Sequence, residues 1–96
     1  MTMEIPLSAI PFQRVSCVIN ARSVEIEVRQ QGSSLFTSVV VDGVQITRST
    51  RAVNGGELFP WTFQNRPADI RWTDTQGDDD PQFEGLGSRW LLAYEE

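Results

Sequence analysis

Three adjacent aspartates, Asp78, Asp79 and Asp80, sit in the stretch DTQGDDDPQFEGLGSRW (residues 74 to 90), with Glu84, Arg89 and Trp90 close behind. Carboxylates crowded in this way can ligate a hard cation, exchange protons, or pair with guanidinium groups. Short calcium loops space their carboxylates at alternate positions and turn on a glycine at the sixth. Here the aspartates are contiguous and Pro81 follows directly, so that pattern is not met, although adjacent carboxylates can still offer one or two oxygens each. Three readings stand side by side: calcium ligands, solvated turn residues bonded to their own backbone, and partners for arginine. General acid–base catalysis needs two carboxyls held in different environments, and nucleophilic catalysis needs a base beside the nucleophile. The chain has no histidine, no G-x-S-x-G elbow, no phosphate-cradling glycine loop and no Cys/His metal spacing. No enzyme activity, cofactor or metal centre is therefore expected.

Gly77, Gly85 and Gly87 read as backbone devices that reverse the acidic turn into a final strand. Arg89 follows within reach of the aspartates and is expected to pair with one of them, fixing turn to strand. The elements that must position this turn are β-strands. From Gln13 to Ser49 apolar residues recur with period two, interrupted by turn signals at short intervals, the pattern of an antiparallel meander. Asp42-Gly43 suits a two-residue type I′ hairpin and pairs Val41 with Val44 and Val39 with Ile46. Gly32-Ser33 suits a type II′ turn and sets Val28 opposite Thr37, Ile26 opposite Val39 and Val24 opposite Val41. A turn over Asn20 to Ser23 sets Ile19 opposite Val24, Cys17 opposite Ile26 and Val15 opposite Val28. All three registers place the same residues on one face, and a one-residue slip in any of them would break the agreement.

The other face mixes Arg14, Glu25, Glu27, Arg29 and Ser38 with Val18, Phe36 and Val40, as expected for a sheet partly solvated and partly covered by another chain. Alternation fails between Thr50 and Ala68, where Leu58, Phe59, Trp61 and Phe63 crowd around Pro60; this connection either caps the sheet or docks on a neighbour. Trp61 is open between a core lid and an interface anchor. Ile70, Trp72 and Asp74 resume the alternation, and Arg89 to Tyr94 reads as a last strand, with Trp72 and Trp90 expected in the core. No helix is required; the weak candidate is the turn after Gly55. The predicted fold is all-β, a small antiparallel sandwich or partly open barrel built on a four-stranded meander, with residues 1–96 as a single domain.

Ninety-six residues bury only about 60–65% of their unfolded surface, enough for one small core. The formal charge is −5, and all eight basic residues are arginine. That balance argues against nucleic acid, which demands clustered positive charge, and it favours bidentate contacts with carboxylates. Cys17 is the sole cysteine, sits on the inward register and is expected to be a buried structural thiol in a reducing compartment. MTMEIPLSAI has no basic or apolar leader pattern, and no apolar run approaches the ~20 residues of a spanning helix, so a soluble, non-exported chain without a membrane partner is expected.

The stretches IPLSAIPFQRVSCVIN and EIEVRQQGSSLFTSVVVDGVQI, and above all DTQGDDDPQFEGLGSRWLLAYEE, resemble the baseplate plug proteins of contractile-tailed bacteriophages. The resemblance covers nearly the whole chain and is most specific in the acidic turn followed by GLGSRW. It implies a non-enzymatic virion component of the tail baseplate, assembled in the host cytoplasm. Such a subunit would lie near the central hub at the end of the tail tube, in multiple copies within a symmetric assembly, contacting hub, tube-end and wedge proteins. Carried onto this chain, it points to Asp78, Asp79, Asp80, Glu84 and Arg89 as a polar contact or turn-locking set, with Trp61 and Phe63 as apolar contacts. Two alternatives accompany it: a calcium- or carbohydrate-binding β module, since tryptophans beside an acidic loop can stack on sugars, and a tail assembly chaperone absent from the mature particle.

Overall fold

Three two-residue turns build half of the molecule. In the computed structural model, which describes residues 2–59, 63 and 67–95, Asn20-Ala21 (φ 49° and 64°) and Asp42-Gly43 (φ 51° and 82°) have the paired left-handed backbone of type I′ turns. Between them Gly32 alone is left-handed (φ 60°), as a type II′ turn requires at its first position. These turns join β2 (Phe12–Ile19), β3 (Arg22–Gln31), β4 (Ser34–Val41) and β5 (Val44–Arg51) into a four-stranded antiparallel meander in sequence order. β1 (Thr2–Ile5), β6 (Ile70–Asp74) and β7 (Trp90–Glu95) form a second antiparallel sheet of order β1-β7-β6. A single 3-10 turn, Phe83–Gly85, lies between β6 and β7. The two sheets enclose a shared core as an open sandwich and do not close into a barrel.

The β3–β4 register is the expected one, with Val24, Ile26 and Val28 opposite Val41, Val39 and Thr37. Two registers differ. The first turn uses two residues, not four, because asparagine tolerates the left-handed region; Arg22 therefore pairs with Ile19, and Cys17 and Val15 face Val24 and Ile26. The shift is two residues, so every side chain keeps its predicted face. In β5, Val41 faces Val44 as expected, but Val39 faces Thr47 and not Ile46. Two register irregularities interrupt this strand, and Ser49 (φ 47°) sits within it in left-handed conformation.

Val24, Ile26, Val28, Leu35, Val39 and Val41 of the meander pack with Ile5, Ile70, Trp72, Trp90, Leu92 and Tyr94 of the second sheet, all buried. Each large apolar side chain buried there contributes about 1.5–3 kcal/mol relative to exposure. Trp72 and Trp90 take the core positions expected of them. Cys17 and Val15 are only half-buried, because the edge strand β2 receives less cover than β3 and β4. The alternation breaks after residue 51 because the chain stops being a strand and becomes a cap. Ala52, Leu58 and Phe59 turn into the core, and residues 55–58 run along β6 through hydrogen bonds from Leu58 N–H to the Ile70 carbonyl and from Trp72 N–H to the Gly56 carbonyl. Among the described residues, no helix forms in the turn that follows Gly55. β1, which carried no strand signal of its own, completes the second sheet by pairing Met3 with Tyr94 and Ile5 with Leu92.

Candidate functional site: the acidic turn and its clasp

Asp74 ends β6 in the same inward phase as Ile70 and Trp72, which carries a carboxylate to the margin of the core. A charge there needs compensation, and Arg89, just ahead of β7, supplies it. Arg89 Nε and Nη2 donate to Asp74 Oδ1 and Oδ2, both at 2.8 Å, a bidentate fork on a carboxylate whose side chain is fully shielded from solvent. The backbone N–H groups of Gln76 and Asp79 donate to the same two oxygens, each at 2.9 Å. The Arg89 guanidinium, helped by these two N–H groups against the opposing effect of burial, holds the Asp74 carboxyl well below the usual carboxylate range. Asp74 in turn, with Asp79, raises the already high pKa of Arg89.

The turn hangs from this clasp. Arg89 Nη2 also donates to Asp79 Oδ2 at 2.9 Å, its guanidinium lies 4.4 Å from the Trp90 ring centroid, and Trp90 Nε1 donates to the Asp79 carbonyl at 3.0 Å. Asp80 faces the other way: Oδ1 accepts the Asn54 N–H at 3.1 Å, and Oδ2 lies 3.4 Å from Arg51 Nη2 at the end of β5. Asn54 closes the loop by accepting the Asp74 N–H on its Oδ1 at 3.0 Å. Farther along, Gln82 bridges to the β3–β4 hairpin, accepting from Gln30 Nε2 and donating to the Ser33 carbonyl, both at 2.8 Å.

The glycines of GLG explain why the return to β7 is so tight. A Cβ on Gly85 would run into the Trp90 indole. Gly87 is left-handed (φ 84°) and lies against the Leu7 carbonyl, where a Cβ has no room.

Of the residues singled out from sequence, Asp79, Asp80 and Arg89 come together in this network, Asp78 stands exposed at the turn, and Glu84 stands exposed on the 3-10 turn. Phe63 is elsewhere, half-buried against the core with its ring 5.6 Å from that of Phe59. Trp61 lies outside the described residues. Asp74 and Asn54 were missed by sequence reasoning; for Asp74 the signal was present, since a carboxylate in phase with Ile70 and Trp72 demands a cation. Among the described residues, no three acidic or cysteine side chains are grouped to hold a metal ion.

The solvent face of the meander offers a second polar surface. Glu27 accepts from Arg14 at 3.0 Å and from Arg29 at 3.4 Å, beside a shallow hollow of about 250 Å³ lined by Arg14, Glu25, Glu27, Ser38, Val40 and Gln45. Chemically, both Asp74 oxygens are occupied by donors and the carboxylate is locked in its charged form, which suits anchoring and not proton transfer.

No curated protein matches the chain. The profile of a family described as cyanophage baseplate Pam3 plug gp18 matches residues 2–96, which takes in both sheets, the clasp and the acidic turn. By that match the chain belongs to the cyanophage baseplate plug family.

Proposed function

We propose that the protein is a non-enzymatic structural subunit of a contractile phage tail, packing against the central hub and neighbouring tube-end and wedge proteins. Residues 1–96 act as one domain, present in several copies of a symmetric baseplate and assembled in the host cytoplasm. The observation that carries this reading is the family match across both sheets and the acidic turn. The clasp supports it: Arg89 and Asp74 stiffen a turn that displays Asp78, Asp79, Asp80 and Glu84 to a neighbour without binding energy being lost to ordering the loop. Phe63 and Trp61 are the apolar contacts of the same proposal.

Coexpression of the tagged chain with hub and wedge proteins of the same phage tests this. Co-purification is the expected result, weakened when Asp78 and Glu84 are changed together to lysine. No association with any baseplate protein, combined with a rise in melting temperature on adding millimolar calcium or sugars, would instead establish the binding-module alternative.

A further inference from the structure

Of the chain's three asparagines, Asn20 precedes Ala21, Asn65 precedes Arg66, and Asn54 alone precedes a glycine. Asparagine side chains are thermolabile, and they are lost fastest before glycine, where no Cβ keeps the next backbone nitrogen from the side-chain carbonyl carbon. Asn54 is half-buried and Gly55 is exposed, so water reaches this peptide bond. Exclusion of solvent therefore does not protect it.

Hydrogen bonds do. Asn54 Oδ1 accepts the Asp74 N–H at 3.0 Å, which fixes the rotation of its amide, and the Asn54 N–H donates to Asp80 Oδ1 at 3.1 Å. The Gly55 nitrogen is the group that would attack, and its N–H donates to the Trp72 carbonyl at 2.9 Å. Ring closure needs that nitrogen deprotonated and brought onto Asn54 Cγ, so it breaks the bond to Trp72 and the bond from Asp74 together. On the far side the Leu58 N–H bonds the Ile70 carbonyl, and Glu57 pairs with Arg71 at 2.9 Å, holding residues 55–58 down on β6.

We propose that Asn54-Gly55 is a site of spontaneous deamidation, with water as co-reactant, that the folded acidic turn and β6 hold closed. The Gly55 nitrogen gives its proton to solvent base and forms a bond to Asn54 Cγ; the Cγ–Nδ2 bond breaks, and the amide nitrogen takes up a proton and leaves as ammonia. Water then opens the succinimide. Hydrolysis at Cγ leaves an aspartyl residue, and hydrolysis at the main-chain carbonyl leaves an isoaspartyl link that carries the chain through an extra methylene. Either product sets a new carboxylate in a loop already bonded to Asp74 and Asp80, where like charges repel. The isoaspartyl link also displaces Gly55 from the Asn54 N–H, so the bonds to Trp72 and Asp80 are not kept together. Deamidation thus releases the cap from β6 and the acidic turn from its tie at Asn54. This inference stands apart from the baseplate reading.

Peptide-resolved mass spectrometry of the full chain, incubated at mildly alkaline pH, reads the change from amide to acid at Asn54. The change is expected to be about tenfold or more slower in the folded chain than in urea, because reaction waits on local opening. Equal rates in the two states overturn the proposal. Asp80→Ala removes the acceptor of the Asn54 N–H from an exposed position, and while folded by circular dichroism it is expected to deamidate at Asn54 several-fold faster than folded wild type. A wild-type rate in that variant refutes the acidic turn as part of the lock. Should Asp80→Ala fail to fold, Arg89→Lys, which keeps the charge and loses the fork that holds the turn, makes the same comparison. Asn54→Asp reads the consequence: its melting temperature is expected below that of wild type, and an equal value refutes the release of the cap.

Discussion

Replacing Gly87 by alanine perturbs a point where the return from the acidic turn to the last strand meets Leu7, in the segment leading into β2. Two costs add. An L-residue in the left-handed region (φ 84°) is disfavoured by about 1–2 kcal/mol. The new methyl also meets the Leu7 carbonyl, a backbone atom that cannot swing aside as a side-chain end could, and overpacking of this kind costs about 1–3 kcal/mol. Gly32→Ala supplies the control: its φ is also left-handed (60°), but nothing lies within 4 Å of the added Cβ, so only the first cost applies. At about 4–8 °C per kcal/mol for a domain of this size, Gly32→Ala lowers the melting temperature by roughly 4–16 °C and Gly87→Ala, at about 2–5 kcal/mol, by roughly 8–40 °C. Thermal denaturation followed by circular dichroism at neutral pH reads both on one preparation. Equal losses for the two variants would refute the reasoning, because they would mean that Leu7 does not press on the GLG turn.

Three further outcomes follow from the same geometry. The depressed pKa of Asp74 contributes stability that is present above its unfolded value near 3.8 and is lost as pH falls toward the lower folded value, so the wild type loses melting temperature below about pH 4. Asp74→Asn is less stable than wild type at neutral pH and shows a flatter acid limb; a limb of unchanged slope would show that another carboxylate governs it. Arg89→Lys keeps the charge but not the fork, and lowers the neutral-pH melting temperature more than Arg14→Ala, whose exposed pair contributes about 0–1 kcal/mol. Burial raises the Cys17 thiol pKa, so at pH 8 a thiol reagent labels the folded chain at least several-fold more slowly than the chain in urea, and equal rates would contradict that burial.

The meander was legible because period-two patterning and turn chemistry speak for the same registers. Ile26 had to face Val39 if Gly32 turned the chain, and it does. At Asn20, where a turn can take two residues or four, the four-residue reading misplaced the pairing by two but not the face, since face depends only on parity. The bulges of β5 were not legible. Nothing in VQITRSTR marks Ser49 as left-handed, and the irregularity follows from how the strand meets the rest of the sheet. β1 was hidden for a similar reason: four residues carry too little periodicity, and Met3 and Ile5 acquire their strand role only from β7. At the acidic turn the sequence pointed to Arg89 and the aspartate run, but its hydrogen-bonding centre is Asp74, four residues upstream of that run. Adjacency in the chain drew notice to Asp78–Asp80, whereas burial decides which carboxylate must be paired, and burial is a property of the assembled sheets.

On the proposed function, this two-sheet domain is built into the tail baseplate. A density map of purified tails at side-chain resolution tests it most directly. The β1-β7-β6 and β2-β3-β4-β5 sheets are expected in the baseplate, with the Arg89–Asp74 fork intact and other baseplate proteins against the domain. A complete baseplate with no density that fits this fold would contradict it.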